Sequence, residues 1–380
     1  MTSIFNELRK PTGILVLGNG FDMHCGLHSS FKCFFDSTFF DAGGKPIFDR
    51  INSNIWYLIF YYAFELPENR GGTLIKWIRN SNPLWMDVEE YINKVFEIGD
   101  DLLFKMRVCD FINNVLRSKE SFVLSDERAM SGDSNYLDGY DKEQRFNIKR
   151  KVLELRDQYG YVSPIELLYD ELRRFENAFS KYLLNDLSKN EANYSNNIQK
   201  FILGNMDNFA SKELFIFSFN YTNKFGNNID QNNILFPHGT LDKNNIIIGI
   251  GDNHKKVYRE ADIFKKIRRR MDNGDSTFEL PPASDIRNIY FYGCSLGMLD
   301  YSYYSFIFKK YGLGISKSKF VFLYSNYEKT DAKNKANFTK YSNNIEQVVV
   351  RYCKENKTLF DFMYLFNDGK IQIKELGETV

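Results

Sequence analysis

Residues 13–17, Gly-Ile-Leu-Val-Leu, carry no polar side chain and stop at Gly18-Asn19-Gly20. A strand with one wet face alternates apolar and polar residues, whereas a strand covered on both faces does not. The run therefore predicts a central strand with helices on both sides of its sheet, and the glycine turn predicts a tight entry into a helix. Comparable β-branched or aromatic runs end at Asn220 (ELFIFSFN), Ile250 (NNIIIGI), Gly293 (IRNIYFYG), Tyr327 (KFVFLYSNY) and Cys353 (EQVVVRYC). They lie tens of residues apart, which leaves room for crossovers. The expected class is α/β, with a Rossmann-like, mostly parallel sheet.

A large helical insertion is expected after the first strand and helix. It takes residues 46–210 and splits the Rossmann-like core into 11–45 and 211–355, with a C-terminal helix and short strand over 356–380. Its clearest element opens at Ser163-Pro164-Ile165-Glu166, where serine caps, proline takes the first helical position and glutamate can reach back to the cap. Leu168, Leu172, Phe175, Phe179 and Leu183 then repeat at helical spacing and give that helix an apolar face, expected to pack on another helix of the insertion. Residues 121–145 are polar and read as an exposed loop.

Lysine plus arginine number 50 against 49 acidic residues, so no whole-surface field gathers nucleic acid or anionic lipid. A local exception is 254–270, HKKVYREADIFKKIRRR, with eight lysines or arginines. It is a candidate nucleic-acid contact, or a solvated basic helix. The five cysteines are odd in number and scattered, which fits neither a secreted disulfide framework nor a four-thiolate zinc site. No apolar run approaches the roughly 18 residues of a membrane span, and no leader pattern opens the chain. The expected location is cytoplasmic, with no membrane partner.

Ligands of doubly wound sheets bind beyond the carboxyl ends of the strands, and four polar turns fall there. Gly18-Asn19-Gly20, with Gly26 shortly after, can leave backbone N–H groups facing a phosphate, although Met23 stands where the dinucleotide fingerprint needs a third glycine. The others are Phe219-Asn220-Tyr221-Thr222-Asn223, Pro237-His238-Gly239-Thr240, and Gly293-Cys294-Ser295-Leu296-Gly297 followed by Asp300. Asparagine and glycine form turns anywhere; four such turns at strand ends carry more weight. Of only four histidines, His24, His28, His238 and His254, three lie at or just after these turns, and His238 is the best placed to act as a base near neutral pH.

GNGFDMHCGLHSSF from Gly18, WMDVEE from Trp85, FSFNYTN from Phe217, PHGT from Pro237 and FYGCSLGMLD from Phe291 together resemble the bacteriophage abortive infection protein AbiH family, in order over about residues 13–330. The resemblance implies a bacterial, cytoplasmic protein of phage defence. A more distant resemblance joins Gly18-Asn19-Gly20, Gly26-Leu27-His28, Asn220, His238-Gly239 and Gly293-Cys294-Ser295 to sirtuin-like NAD-binding folds. It implies NAD as substrate or ligand, with Asn220, His238 and Asp22 as catalytic candidates. Gly18, Asn19, Gly20, Gly26, Thr222, Gly239, Gly293, Ser295, Asp300 and Asn326 are the cofactor-binding candidates. Asn19 replaces that family's alanine, Asp22 its serine, and no four-cysteine zinc module exists, which argues against protein deacylation and leaves NAD hydrolysis or binding without turnover.

Cleavage of the nicotinamide–ribose bond releases a cationic leaving group and needs no strong acid. Asn220 can hold ribose or water, His238 can accept a proton, and Asp22 can orient a ribose or the histidine. No metal is expected. Two alternatives stand beside this one: a non-enzymatic nucleotide sensor, and a metal-dependent phosphoesterase or nuclease using Asp22, His24, His238, Asp252 and His254, whose two-metal form requires those ligands to converge. A phage-derived trigger and self-association are the further expected partners.

Overall fold

The computed structural model describes residues 10–64, 88–96, 108–119, 139–205, 213–225, 229–251, 259–274, 279–325 and 331–376. Asn326, the stretch 85–87, Asp252, His254 and most of 121–145 lie outside the described residues. The chain divides into two compact units: Met1–Ser29, Leu183–Ile246 and Arg270–Val380 form the first, and Ser30–Tyr182 with Ile247–Arg269 the second.

The first unit is built on six strands, β1 (Gly13–Leu17), β2 (Leu214–Ser218), β3 (Ile234–Leu235), β4 (Asn288–Tyr292), β5 (Lys319–Tyr324) and β6 (Ile371–Glu375). Their order is β3-β2-β1-β4-β5-β6, and every pairing is parallel. This is the Rossmann order. The chain walks outward from β1 to β3 and then crosses back to β4, so the carboxyl ends of β1 and β4 diverge into loops on opposite sides. That divergence is where such sheets hold ligands.

Alternation along each strand feeds two separate cores. Ile14, Val16, Phe215, Phe217, Ile289, Phe291, Phe320 and Phe322 face one side, where they meet Tyr304, Ile307 and Phe308 of helix Tyr301–Lys310 and Val348, Val349 and Tyr352 of helix Asp331–Glu355. Leu15, Leu17, Leu214, Ile216, Val321 and Leu323 face the other, under Phe21 of helix Asn19–His24 and Tyr194, Ile198 and Phe201 of helix Pro164–Asn205. Both faces of β1 are thus buried, as its unbroken apolar run requires.

Two expected strands are not strands. Residues 345–353 lie inside helix Asp331–Glu355; Ile345, Val348, Val349 and Tyr352 recur at three- and four-residue spacing and are buried on one side, so burial of that stripe overrides the β propensity of three consecutive valines. The isoleucines of 246–250 are buried in a segment that forms no ladder, with a single bridge between Ile250 and Lys265.

In the second unit helix Phe31–Phe39 and helix Ile55–Phe64 meet the first half of Pro164–Asn205 through Phe31, Phe34, Phe35, Tyr57 and Phe60 against Phe175 and Phe179. Glu171 is fully buried there, accepting from Ile55 N–H at 2.9 Å and from Arg174 at 2.8 Å. The expected cap is formed: Glu166 N–H points to Ser163 Oγ at 3.5 Å.

Candidate functional site

The glycine turn after β1 interlocks with the turn after β4. Gly18 N–H donates to Tyr292 C=O and Gly20 N–H to Gly293 C=O, both at 3.0 Å. A Cβ on Gly18 would stand 2.5 Å from Gly293 O, and one on Gly293, whose φ is +68°, would stand 2.3 Å from Phe21 N. These glycines let two backbones touch across the switch point. One N–H of the glycine turn, that of Gly20, is thereby spent on the contact. Asn19 lies beside it, its Oδ1 accepting from Ser29 Oγ at 2.5 Å. Gly26, with φ +98°, turns the chain after the helix that the Gly-Asn-Gly turn opens.

One turn into that helix Asp22 is buried and organises the end of β2. Its Oδ1 accepts from Tyr194 Oη at 2.7 Å and Asn220 Nδ2 at 2.8 Å, and its Oδ2 accepts from Thr222 Oγ1 at 2.8 Å. Tyr194 Oη and Thr222 Oγ1 are themselves 2.8 Å apart. Burial pushes the Asp22 carboxyl up to about 6, against the opposing pull of the three hydrogen bonds. Asp22 therefore positions Asn220 and Thr222, and the turn expected to hold a ribose is fixed from beneath.

His238 follows β3 and Asp300 follows β4. His238 Nε2 lies 3.3 Å from Asp300 Oδ1, and the imidazole packs against Phe219 and Tyr303 at centroid distances of 5.2 and 5.5 Å. Three strand intervals, roughly 14 Å, separate β3 from β4 in the sheet, so the pair joins loops from either side of β2 and β1, beside Phe219 just past the end of β2. Asp300 sits at the cap position of helix Tyr301–Lys310 without making a side-chain cap bond. A capping aspartate ordinarily contributes about 1 kcal/mol, and here the carboxylate is turned to the histidine instead. Gly239 has φ +77° and no room for a Cβ beside Asn245 O. Leu241 N–H then donates to Tyr221 C=O at 2.9 Å, which ties this turn to the one carrying Asn220. Asn220 and His238 are each 4 % exposed.

These interlocking turns belong to motifs that run along most of the chain, and residues 14–324 match the family described as Bacteriophage abortive infection AbiH. The chain belongs to the AbiH family. No curated protein and no solved structure gives a match. Strand order 3-2-1-4-5-6 is common to many doubly wound folds, so the fold alone does not transfer an activity to this AbiH protein.

Other candidates are placed elsewhere. Ser295 is exposed, its carbonyl accepting from Asn344 Nδ2 at 2.9 Å. His28 is an exposed partner of Asp186 at 3.1 Å. His24 bonds Tyr292 Oη through Nδ1 and shares no partner with Asp22, and among the described residues no three His, Cys, Asp or Glu side chains form a metal-sized group. Lys255 and Lys256 of the basic stretch lie outside the described residues, and Arg268 is exposed. Lys266 and Arg269 are each 1 % exposed and paired to Glu89 and Glu176, while Lys265 pairs with Asp262. Cations neutralised in this way have little left for a phosphate backbone. Sequence reading missed Tyr194, 172 residues from the carboxylate it meets, and Tyr292. No local motif marks Tyr194, and Tyr292, although inside the FYGCSLGMLD stretch, carries no signal of its own beyond an aromatic in a strand. Among the described residues no helix is long and apolar enough to cross a membrane.

Proposed function

We propose that this AbiH-family protein acts in abortive infection by binding a nucleotide over the carboxyl ends of β1 and β2 and cleaving its N-glycosidic bond, with NAD the substrate to test first. The observation that carries this reading is the His238–Asp300 pair, held over the strand ends of a Rossmann-ordered sheet at the expense of a helix cap. His238 accepts the proton of the attacking water, and Asp300 holds the imidazole and stabilises its charged form. Asn220, aligned by Asp22, holds ribose or water. Gly18, Asn19, Gly20, Gly26, Thr222, Gly239 and Gly293 shape the surrounding turns. A second reading, nucleotide sensing without turnover, draws on the near-complete burial of Asn220 and His238, which suits a protein at rest until a phage-derived trigger opens it.

The test follows NAD and free nicotinamide by chromatography for the wild type, His238→Ala and Asp300→Asn, with and without phage lysate and with and without magnesium or manganese. Metal-independent release, reduced at least 100-fold in His238→Ala and about 10-fold in Asp300→Asn, is expected for loss of a base and of its orienting group. Equal release by all three proteins would remove the site assignment. Binding of NAD without release in any condition would favour the sensing reading.

A further inference from the structure

On the β4–β5 side of the sheet a second polar chain has no part in the machinery above. Tyr292, the last residue of β4, places its hydroxyl 3.0 Å from His24 Nδ1 and 3.0 Å from Ser325 Oγ. His24 ends the helix after β1 and Ser325 directly follows β5, so three strands contribute one residue each, again at their carboxyl ends. The imidazole stands edge-on to Phe201 and Tyr292, at centroid distances of 5.8 and 5.7 Å. Its Nε2 is buried with no hydrogen-bond partner among the described residues, although the residue as a whole is only partly covered. A buried polar atom left unpaired costs about 1–3 kcal/mol and calls for a cause.

The chemistry of the chain narrows what satisfies that nitrogen. Burial holds the His24 pKa below its usual value, so the ring is neutral near pH 7, and neither of its chain partners is charged. The three groups can be wired in two directions. If Tyr292 donates to Nδ1, then Nε2 carries the proton and donates outward; if Nδ1 donates to Tyr292, then Tyr292 donates to Ser325 and Nε2 accepts. A hydroxyl is the small group that matches both, since it donates and accepts. A phosphate, which only accepts and prefers cationic partners, is the poorer match.

We infer that His24, Tyr292 and Ser325 form a sugar-hydroxyl subsite, in which His24 Nε2 reads a ribose hydroxyl of the bound nucleotide. The subsite rests on the nucleotide reading given under Proposed function and adds to it a specificity determinant on the opposite side of the β1/β4 switch. Tyr292 and Ser325 fix the ring and supply its reversible wiring; they are positioning residues.

Calorimetric titration of the full chain with ADP-ribose, and with its 2′-deoxy and 3′-deoxy adenosine forms, tests this against His24→Phe, His24→Gln and Tyr292→Phe. The wild type is expected to bind one deoxy form about 10-fold more weakly than ADP-ribose. His24→Phe should bind both with the same affinity, and His24→Gln should recover part of the discrimination. The thermal midpoint of His24→Phe should not fall, because phenyl keeps the edge-on ring contacts and removes an unpaired polar atom. Discrimination unchanged in His24→Phe, with ADP-ribose still bound, would overturn the subsite alone. A fall in stability with no change in hydroxyl discrimination would make His24 a packing residue and likewise overturn it. Absence of any nucleotide binding by the wild type would overturn the nucleotide reading itself, and the subsite with it.

Discussion

Asp22 is held by three uncharged donors in a buried position, and its carboxyl has a folded-state pKa of about 6 against an ordinary 3.8. A raised value means that the folded protein binds the proton more tightly than the unfolded chain. The stability this supplies is complete below about pH 4 and is lost as pH rises through about 6, an effect on the order of 3 kcal/mol. Chemical denaturation at pH 4, 5, 6 and 7 should show that slope, and Asp22→Asn should flatten it while keeping the fold, since an amide can donate to Thr222 and still accept from Tyr194 and Asn220. Asp22→Ala strands those partners and should cost roughly 3–5 kcal/mol. Gly293→Ala should also be costly, by about 2 kcal/mol or more, because it meets both a left-handed backbone and the Phe21 nitrogen; a thermal midpoint within error of wild type would contradict the interlock. At this scale the sequence singled out residues more readily than it showed what they touch. His238, Asn220 and the glycines stand out by residue type and position after a strand. The partners of Asp22 come from two distant segments, Tyr194 and the Asn220–Thr222 turn, and nothing local announces that they meet it.

Among elements, β1, β2, β4 and β5 were legible because strands buried on both faces read as unbroken apolar runs. β3 is two residues long, too short to leave a pattern. The run ending at Cys353 was misleading because its β-branched composition masked a helical stripe. The isoleucines of 246–250 were misleading in the opposite way, being buried but held by side chains. Ile248 N–H donates to Glu176 at 2.7 Å, Ile248 C=O accepts from Arg269 at 2.7 Å, and Gly249 N–H donates to Glu89 at 3.3 Å. The buried Glu176 and the partly buried Glu89 thus stand where a neighbouring strand would. Removing one member of the Glu176–Arg269 pair leaves the other charge buried and alone, at a cost of about 3–5 kcal/mol. Glu176→Leu should therefore destabilise strongly in urea denaturation, and the double replacement with Arg269→Met should recover part of the loss. Additive losses would mean that the two side chains do not act as a pair.

For the whole molecule, the near-balanced charge sets up no long-range field, so the proposed site rests on local chemistry at the sheet's carboxyl edge, where turns from β1, β2, β3 and β4 meet. The chain has only four histidines, and two of them, His24 and His238, lie in the proposed nucleotide subsites. Imidazole NMR of histidine-labelled protein, assigned with single His→Gln variants and titrated with ADP-ribose, therefore reads the site directly. The proposed site predicts that the His238 and His24 resonances move together and saturate with the ligand, while exposed His28, paired to Asp186, stays in place. Saturable binding that leaves His238 unmoved would contradict it.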